Sequence, residues 1–414
     1  MLFDTLVGRF LKRGRLTVTF ADGRTRTFGA PDPELAHVHV AFKDAATERA
    51  VALKPQLALG EAYMDGRLLF REGDIVEFLR IVAANLGTGF GHPIFEAIAK
   101  ARCAFRSLAQ YNPIPRAQAN VAHHYDLSGA LYDTFLDEDR QYSCAYFERP
   151  DDTLETAQAK KKRHIAAKLA IEPGMRVLDI GSGWGGLGLY LARECGARVV
   201  GVTLSEEQLA LSRRRAHEAG LEDRVEFRLQ DYRTLDERFD RIVSVGMFEH
   251  VGVAHYREFF DQVERLLDPK GVGLVHAIGR SDGPGHTNLW IAKYIFPGGY
   301  TPALSEVVPK IERSGLMISD IEILRLHYAE TLKEWRRRFR AHWAEVARLY
   351  DERFCRMWEF YLAGAEMGFR YQGLMVFQIQ IVKHVEALPI TRDYMLQWEA
   401  THQAPKAVAP ARAA

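Results

Sequence analysis

Residues 176–186 read RVLDIGSGWGG, and this stretch decides the fold. An apolar run of buried-strand type carries Asp179-Ile180 at its end, and Gly181-Ser182-Gly183-Trp184-Gly185-Gly186 follows at once. Glycines here let the chain turn tightly and let a ligand approach the backbone where the next helical segment, LGLYLARECG, begins. Outward from this point the alternation repeats. ARVVGVT (197–203), RVEFRL (224–229), FDRIVSVG (239–246) and GVGLVHAIG (271–279) are further short apolar runs separated by segments of helical pattern. Such an order predicts an α/β fold, a parallel sheet with helices on both faces. LMISDIEILRL (316–326) is expected at a sheet edge, and 331–385 is expected to be helical.

The loop fits GxGxxG, a spacing shared by several cofactor folds. A dinucleotide fold wants an acid about 20 residues further on to hold the ribose hydroxyls. That place reads Gly201-Val202-Thr203-Leu204-Ser205, with no acid before Glu206, which counts against NAD. With Asp179 ahead of it, the loop resembles motif I of S-adenosylmethionine (SAM) methyltransferases. Asp231 and Tyr232 then end the third strand, where such enzymes hold the adenine.

The rest of the chain bounds the possibilities. Its 414 residues are 47% hydrophobic and 26% charged with a net charge of +1, proportions of a globular protein rather than a disordered one. Near-neutral balance argues against a dedicated nucleic-acid binder. Cysteines at 103, 144, 195 and 355 form no CxxC pair, so a reducing cytosol is the simplest setting. RLTVTFADGRTRTF (15–28) predicts a hairpin about Asp22-Gly23, HVHVAF (37–42) a further strand, and about 55–107 a helical stretch broken at Gly66, Gly73 and Gly87–Pro93. A boundary is expected at Tyr111–Pro115, giving a small α+β domain over 1–110, a catalytic domain over 111–400 and a loose tail over 401–414. No apolar core with a cleavage site opens the chain, and no apolar run is long enough to span a membrane, so neither a leader nor a span is expected. Leu2, Phe3, Leu6, Val7, Phe10 and Leu11 share a helical face, expected to pack on its own domain in preference to lying on an anionic bilayer.

Five ordered segments sharpen the reading. NVAHHYDLSGALYDTFLDEDRQYSCAYF (120–147), VTLSEEQ (202–208), GMFEHVG (246–252), LVHAIG (274–279) and WIAKYIFP (290–297) together resemble cyclopropane-fatty-acyl-phospholipid synthases and the related mycolic acid cyclopropane synthases. LALGEAYMDGRLL (57–69) resembles the N-terminal domain of that family. The resemblance implies a Rossmann-like class I SAM-dependent methyltransferase fold with helical additions behind a small α+β N-terminal domain. It implies cofactor contacts from Tyr142, Ser143, Asp179, Gly181, Gly183, Gly186, Thr203, Ser205, Gln208, Asp231 and Tyr232. It also implies a bound bicarbonate base held by Cys144, Glu249, His276, the main chain at Ile278, and Tyr328. Two departures stand out: Ser182 where the family often has Cys, and Ala292 where Asn is common.

The chemistry so implied makes sense of the set. An alkene has no proton to give up beforehand; adding a methyl group to one olefinic carbon leaves a cation on the next, and ring closure then requires proton loss from that methyl. Such a site must be apolar, exclude water and hold a base. A thiol, a phenol, an imidazole and backbone N–H groups can all donate to an anion, whereas Glu249 must accept from bicarbonate's O–H or be protonated itself. Neither His123-His124 nor Glu249-His250 has the spacing of a closed zinc set, and no metal is expected. Trp335, Phe339, Trp343, Trp358, Phe360 and Tyr361 interleave with Arg336, Arg337, Arg338 and Arg340, suggesting an acyl channel beside a phosphate-binding basic face. The expected partner is therefore an unsaturated phospholipid at the inner membrane surface, reached by a peripheral cytoplasmic enzyme, with a homodimer implied by the family. Alternatives are a fatty-acid C-methyltransferase giving a methyl or methylene branch, a small-molecule N- or O-methyltransferase, and a non-catalytic lipid-binding module.

Overall fold

The computed structural model describes residues 2–86 and 129–402. The expected boundary at Tyr111–Pro115, Cys103, the His123-His124 pair and tail residues 403–414 lie outside the described residues. The front of the chain forms α1 (Leu2–Phe10), β1 (Leu16–Thr19), β2 (Thr25–Phe28), β3 (Val38–Phe42), α2 (Ala45–Leu53), α3 (Pro55–Met64), β4 (Leu68–Glu72) and α4 (Ile75–Leu86). Its four strands lie in the order β2-β1-β3-β4. β1 and β2 are the expected hairpin, turned by Gly23 at φ +86° while Asp22 Oδ1 accepts from Arg24 N at 3.0 Å. Val7 and Phe10 of α1 pack against the core of this sheet, the self-packing alternative. One expectation fails: the stretch from 55 is not helix throughout. Gly66 and Gly73, both at positive φ, turn the chain into and out of β4, which pairs with β3.

The second part runs α5 (Gly129–Asp133), α6 (Leu154–Lys168), β5 (Arg176–Ile180), α7 (Gly186–Cys195), β6 (Arg198–Thr203), α8 (Glu206–Glu218), β7 (Val225–Leu229), β8 (Phe239–Val245), α9 (Tyr256–Leu266) and β9 (Leu267–Arg280). It continues through α10 (Leu289–Tyr294), α11 (Leu304–Ile311), β10 (Met317–Leu324), α12 (His327–Ala341), α13 (Trp343–Leu349), α14 (Glu352–Tyr371), β11 (Leu374–Val382) and α15 (Asp393–Thr401). The seven strands lie in the order β10-β11-β9-β8-β5-β6-β7. Every strand expected between 176 and 279 is present, and all five run parallel. β5 lies between β6 and β8, so the connections leave it in opposite directions and open a crevice at the carboxyl ends of the strands.

β11 corrects the expectation of helix to 385. Residues 374–382 pair antiparallel with β9 and β10, with Phe377 opposite Ala277 and Ile323. Its strand is buried on both faces, so the sequence shows an almost continuous apolar run whose period does not separate strand from helix.

The arginine run corrects another. Arg336 pairs with Glu366, Arg337 with Glu334, Arg338 with Glu155, and Arg340 with Asp74 and Glu359. Glu359 and Glu366 are each only 2% exposed, so their arginines neutralise carboxylates buried between α12 and α14. Arg336 and Arg340 are thus committed to buried carboxylates, whereas Arg337 stays largely exposed and pairs with Glu334 on its own helix. The aromatic partners Trp335, Phe339, Trp358 and Tyr361 are core residues of one large apolar cluster. On its other side α14 reaches the N-terminal sheet, where Ala363 and Met367 join that core. Gly60 of α3 lies so close to the Trp290 indole that a Cβ would overlap it, and Trp290 Nε1 donates to Met64 Sδ at 3.2 Å.

Candidate functional site: a cofactor cleft beside an aromatic cluster

The turn from β5 to α7 is built for close approach. Gly181, Gly183 and Gly185 all have φ between +54° and +84°, a region open to glycine and strained for other residues. A Cβ on Gly181 would stand 2.9 Å from that of Met247, whereas one on Gly183 would meet nothing within 4 Å. The cleft above this turn is lined by Tyr142, Ser143, Asp179, Gly181, Gly183, Gly186, Thr203, Gln208, Asp231 and Tyr232, ten of the eleven residues expected at the cofactor. Ser205 instead caps α8, its Oγ accepting from Gln208 N at 3.3 Å. Thr203 Oγ1 donates to Gln208 Oε1 at 2.8 Å, so hydroxyl and amide groups hold the loop where a dinucleotide fold would carry an acid. Asp231 is pinned by Arg233 at 2.7 Å, and the Tyr232 ring meets Phe259 edge-on at 5.4 Å.

Polar groups that the sequence did not single out complete the cleft. Lys161 of α6 lines it, with Nζ donating to Gln141 Oε1 at 2.7 Å and to Ser143 Oγ at 2.8 Å. Gln141 Nε2 donates in turn to Asp139 Oδ2 at 3.0 Å, and Asp139 is held by Lys162 and Arg215. In the same cleft, burial pushes the Asp179 carboxyl up to about 7 against the opposing pull of Lys161, and its Oδ2 has no hydrogen-bond partner among the described residues. His250 also lines the cleft, where burial pushes its imidazole down to about 4 and keeps it neutral. An exposed ligand-facing backbone, ribose-type hydroxyl partners and orphaned buried charge suit a nucleoside carrying a polar charged end.

The five residues expected to hold bicarbonate lie beyond the lining of this cleft, which adjoins them through Tyr142 and Ser143. Tyr142 donates to or accepts from Tyr361 Oη at 3.0 Å and stacks at a tilt on Trp335, 5.2 Å away. Cys144 follows directly, 1% exposed and in the same apolar cluster as Tyr328 and Ile278. Its thiol donates to Ala145 O at 3.3 Å, and burial raises its pKa far enough to keep the proton on sulfur. Glu249, in the short turn after β8, accepts from Ile278 N at 2.6 Å through Oε1. Its Oε2 is buried without a hydrogen-bond partner among the described residues, and desolvation pushes the carboxyl up to about 7. His276 and Ile278 share one face of β9; Gln378 Nε2 lies 3.1 Å from His276 Nδ1, and burial holds that imidazole well below its ordinary pKa. Glu249 and the Ile278 main chain are thus in direct contact, Cys144 and Tyr328 share their cluster, and His276 stands two residues away on the same strand.

Residues 114–379 match the family described as mycolic acid cyclopropane synthetase, and residues 4–90 match a domain of unknown function. The cyclopropane-fatty-acyl-phospholipid synthase of Escherichia coli K12 is 40% identical over 82% of this chain and 86% of its own. The chain belongs to this family. It is a SAM-dependent methyltransferase. A probable fatty acid methyltransferase of Pseudomonas putida is also 40% identical, over 81% of this chain and 86% of its own. In three dimensions, mycolic acid cyclopropane synthase CmaA1 complexed with SAH and CTAB superposes with a TM-score of 0.61 at 33% identity, covering 66% of this chain and 99% of that one. Among the described residues no helix is long and apolar enough to cross a membrane, and no group of His, Cys, Asp and Glu is placed to hold a metal.

Proposed function

We propose that this enzyme converts cis double bonds in the acyl chains of unsaturated phospholipids to cyclopropane rings, meeting its substrate at a bilayer surface. The observation that carries this is the continuity of the Tyr142-Ser143-Cys144 segment: its first two residues line the cofactor cleft and its third is buried in the aromatic-rich cluster that also holds Tyr328 and Ile278. When bound, SAM supplies an electrophilic methyl group on a sulfonium. The glycine turn, Thr203, Gln208, Asp231 and Tyr232 hold the nucleoside, and Tyr142 and Ser143 close the cleft towards the acyl side.

The chain's own residues then meet two demands. Water must be kept from an electron-deficient carbon, and Tyr142, Trp335, Trp358 and Tyr361 form a wall with little that is nucleophilic exposed. A proton must also leave the newly attached methyl group. Cys144, Glu249, His276, the Ile278 main chain and Tyr328 would hold bicarbonate, which when bound would supply a base for that proton. The fit rests on the orphaned Oε2 of Glu249, and on a carboxyl near 7 that either accepts bicarbonate's O–H or donates to it. The protonated Cys144 thiol and neutral His276 contribute no competing charge.

A second reading, a methyl- or methylene-branched acyl product, is favoured by the equal identity to the P. putida relative. Incubation with SAM and vesicles of monounsaturated phospholipid, followed by gas chromatography–mass spectrometry, separates them. A ring and a methylene branch add the same mass, so retention and fragmentation must distinguish them. A cyclopropane product that falls sharply in Cys144→Ala, with affinity for S-adenosylhomocysteine retained, is expected. A branched product selects the second reading, and no lipid product overturns both.

A further inference from the structure

Lys161 and Asp179 both line the cofactor cleft, and neither forms an ion pair among the described residues. Lys161 is 1% exposed. An ammonium offers three N–H donors, and the two hydrogen bonds of Lys161 go to neutral atoms, Gln141 Oε1 and Ser143 Oγ. Its neighbours differ: Lys160 is paired with Asp152 and Lys162 with Asp139. The acids nearest Lys161 are also engaged elsewhere, Asp137 with the main chain of Gln141 and Asp139 with Lys162 and Arg215. Asp179, 2% exposed, lines the same cleft, and its Oδ2 has no hydrogen-bond partner among the described residues.

Burying a charge without a partner forfeits hydration that no contact replaces. Desolvation accordingly lowers Lys161 to about 8 and raises Asp179 to about 7, each towards neutrality. A ligand group with both signs of charge relieves the two at once. The only part of SAM with that character is its amino-acid end, a carboxylate beside an ammonium.

We propose that Lys161 anchors the α-carboxylate of the cofactor's amino-acid end, beside the Asp179 position already assigned to the cofactor. This rests on the SAM reading of the cleft and adds a binding role for a lysine in a helix that carries no recognised motif. Ser143 shares the anchor, since the Nζ that reaches the ligand also holds its hydroxyl. The bond from Lys161 therefore ties cofactor binding to the segment carrying Cys144.

The test compares binding, not turnover. Three ligands are titrated by calorimetry into the full-length protein and Lys161→Met: S-adenosylhomocysteine, its decarboxylated amine, and methylthioadenosine, which lacks the whole amino-acid end. In the wild-type protein, removing the carboxylate is expected to weaken binding about 10- to 100-fold, the range of a charge-assisted hydrogen bond in a buried site. In Lys161→Met that ratio is expected to fall to within about threefold of one, with methylthioadenosine affinity nearly unchanged. Lys161→Gln, which keeps an N–H for Gln141 or Ser143, is read the same way and guards against a variant that fails to fold. A carboxylate preference that persists in either folded variant, or that is absent from the wild-type protein, overturns the proposal. Failure of all three ligands to bind the wild-type protein would instead overturn the SAM reading beneath it.

Discussion

Replacing Glu249 by Gln isolates the cost of a buried carboxyl. The wild-type side chain accepts from Ile278 N through one oxygen and leaves the other unpartnered, and a Gln keeps the accepting oxygen with the same shape. What changes is titration. In the folded protein the carboxyl ionises at about 7 instead of an ordinary 4.5. Its pKa is raised on folding, so this group's stabilising contribution is complete below about pH 4.5 and is lost as pH rises to about 7. At about 1.4 kcal/mol per tenfold, the full loss is about 3 kcal/mol, of which about 1 kcal/mol is already felt near pH 5. The stability of E249Q relative to wild type should therefore rise by about 2–3 kcal/mol between about pH 5 and about pH 8. Any pH-independent penalty from the unpartnered amide cancels in that difference. Urea unfolding of both proteins at the two pH values measures it. A gap that stays constant across the range would show that Glu249 ionises normally, and its assigned role beside a bound anion would lose its basis. The same substitution should lower turnover at least about 100-fold while leaving S-adenosylhomocysteine affinity within about twofold, as expected for a group acting only on the reacting lipid.

Two further outcomes follow from the geometry. Gly181→Ala places a Cβ in the left-handed region and 2.9 Å from Met247 Cβ, and should destabilise the fold by about 1–2 kcal/mol. Its affinity for S-adenosylhomocysteine by calorimetry should fall about tenfold, and a variant with unchanged stability and binding would refute the close-approach role. Burial pulls the His164 imidazole down, but its hydrogen bonds to Glu322 at 2.7 Å and Glu399 at 2.6 Å outweigh burial and raise its pKa. That stabilisation is complete below the ordinary 6.5 and is lost as pH rises through the folded value, so the urea-stability deficit of His164→Gln should be larger near pH 5.5 than near pH 9; an equal deficit at both would contradict the charged pairing.

The sequence by itself determined the parallel half of the sheet and the cofactor loop. Short β-branched runs at helix-length spacing leave few topologies, and glycines at 181, 183 and 185 answer to backbone geometry that no other residue suits. Ten of the eleven residues assigned to the cofactor line one cleft, most of them at the carboxyl ends of β5, β6 and β7 or in the turns and helix starts that follow, which such a sheet must gather; Tyr142 and Ser143 reach it from the segment ahead of α6. Ser205 shows the limit, for capping and ligand binding ask for the same hydroxyl. Other features needed the tertiary structure. β11 is a strand because β9 and β10 offer edges to pair with, a fact its apolar run does not carry. The arginines at 336–340 read as a basic face, but Glu366 and Glu359, on the later helix α14, lie buried against Arg336 and Arg340. α6 is the sharpest case: Lys160, Lys161, Lys162 and Lys168 are all at most 9% exposed in a helix whose composition reads as surface. Hydropathy records what a side chain prefers when alone. Whether a lysine is solvated, paired or left waiting for a ligand depends on groups brought to it from elsewhere in the chain, and only the folded structure sets that distance.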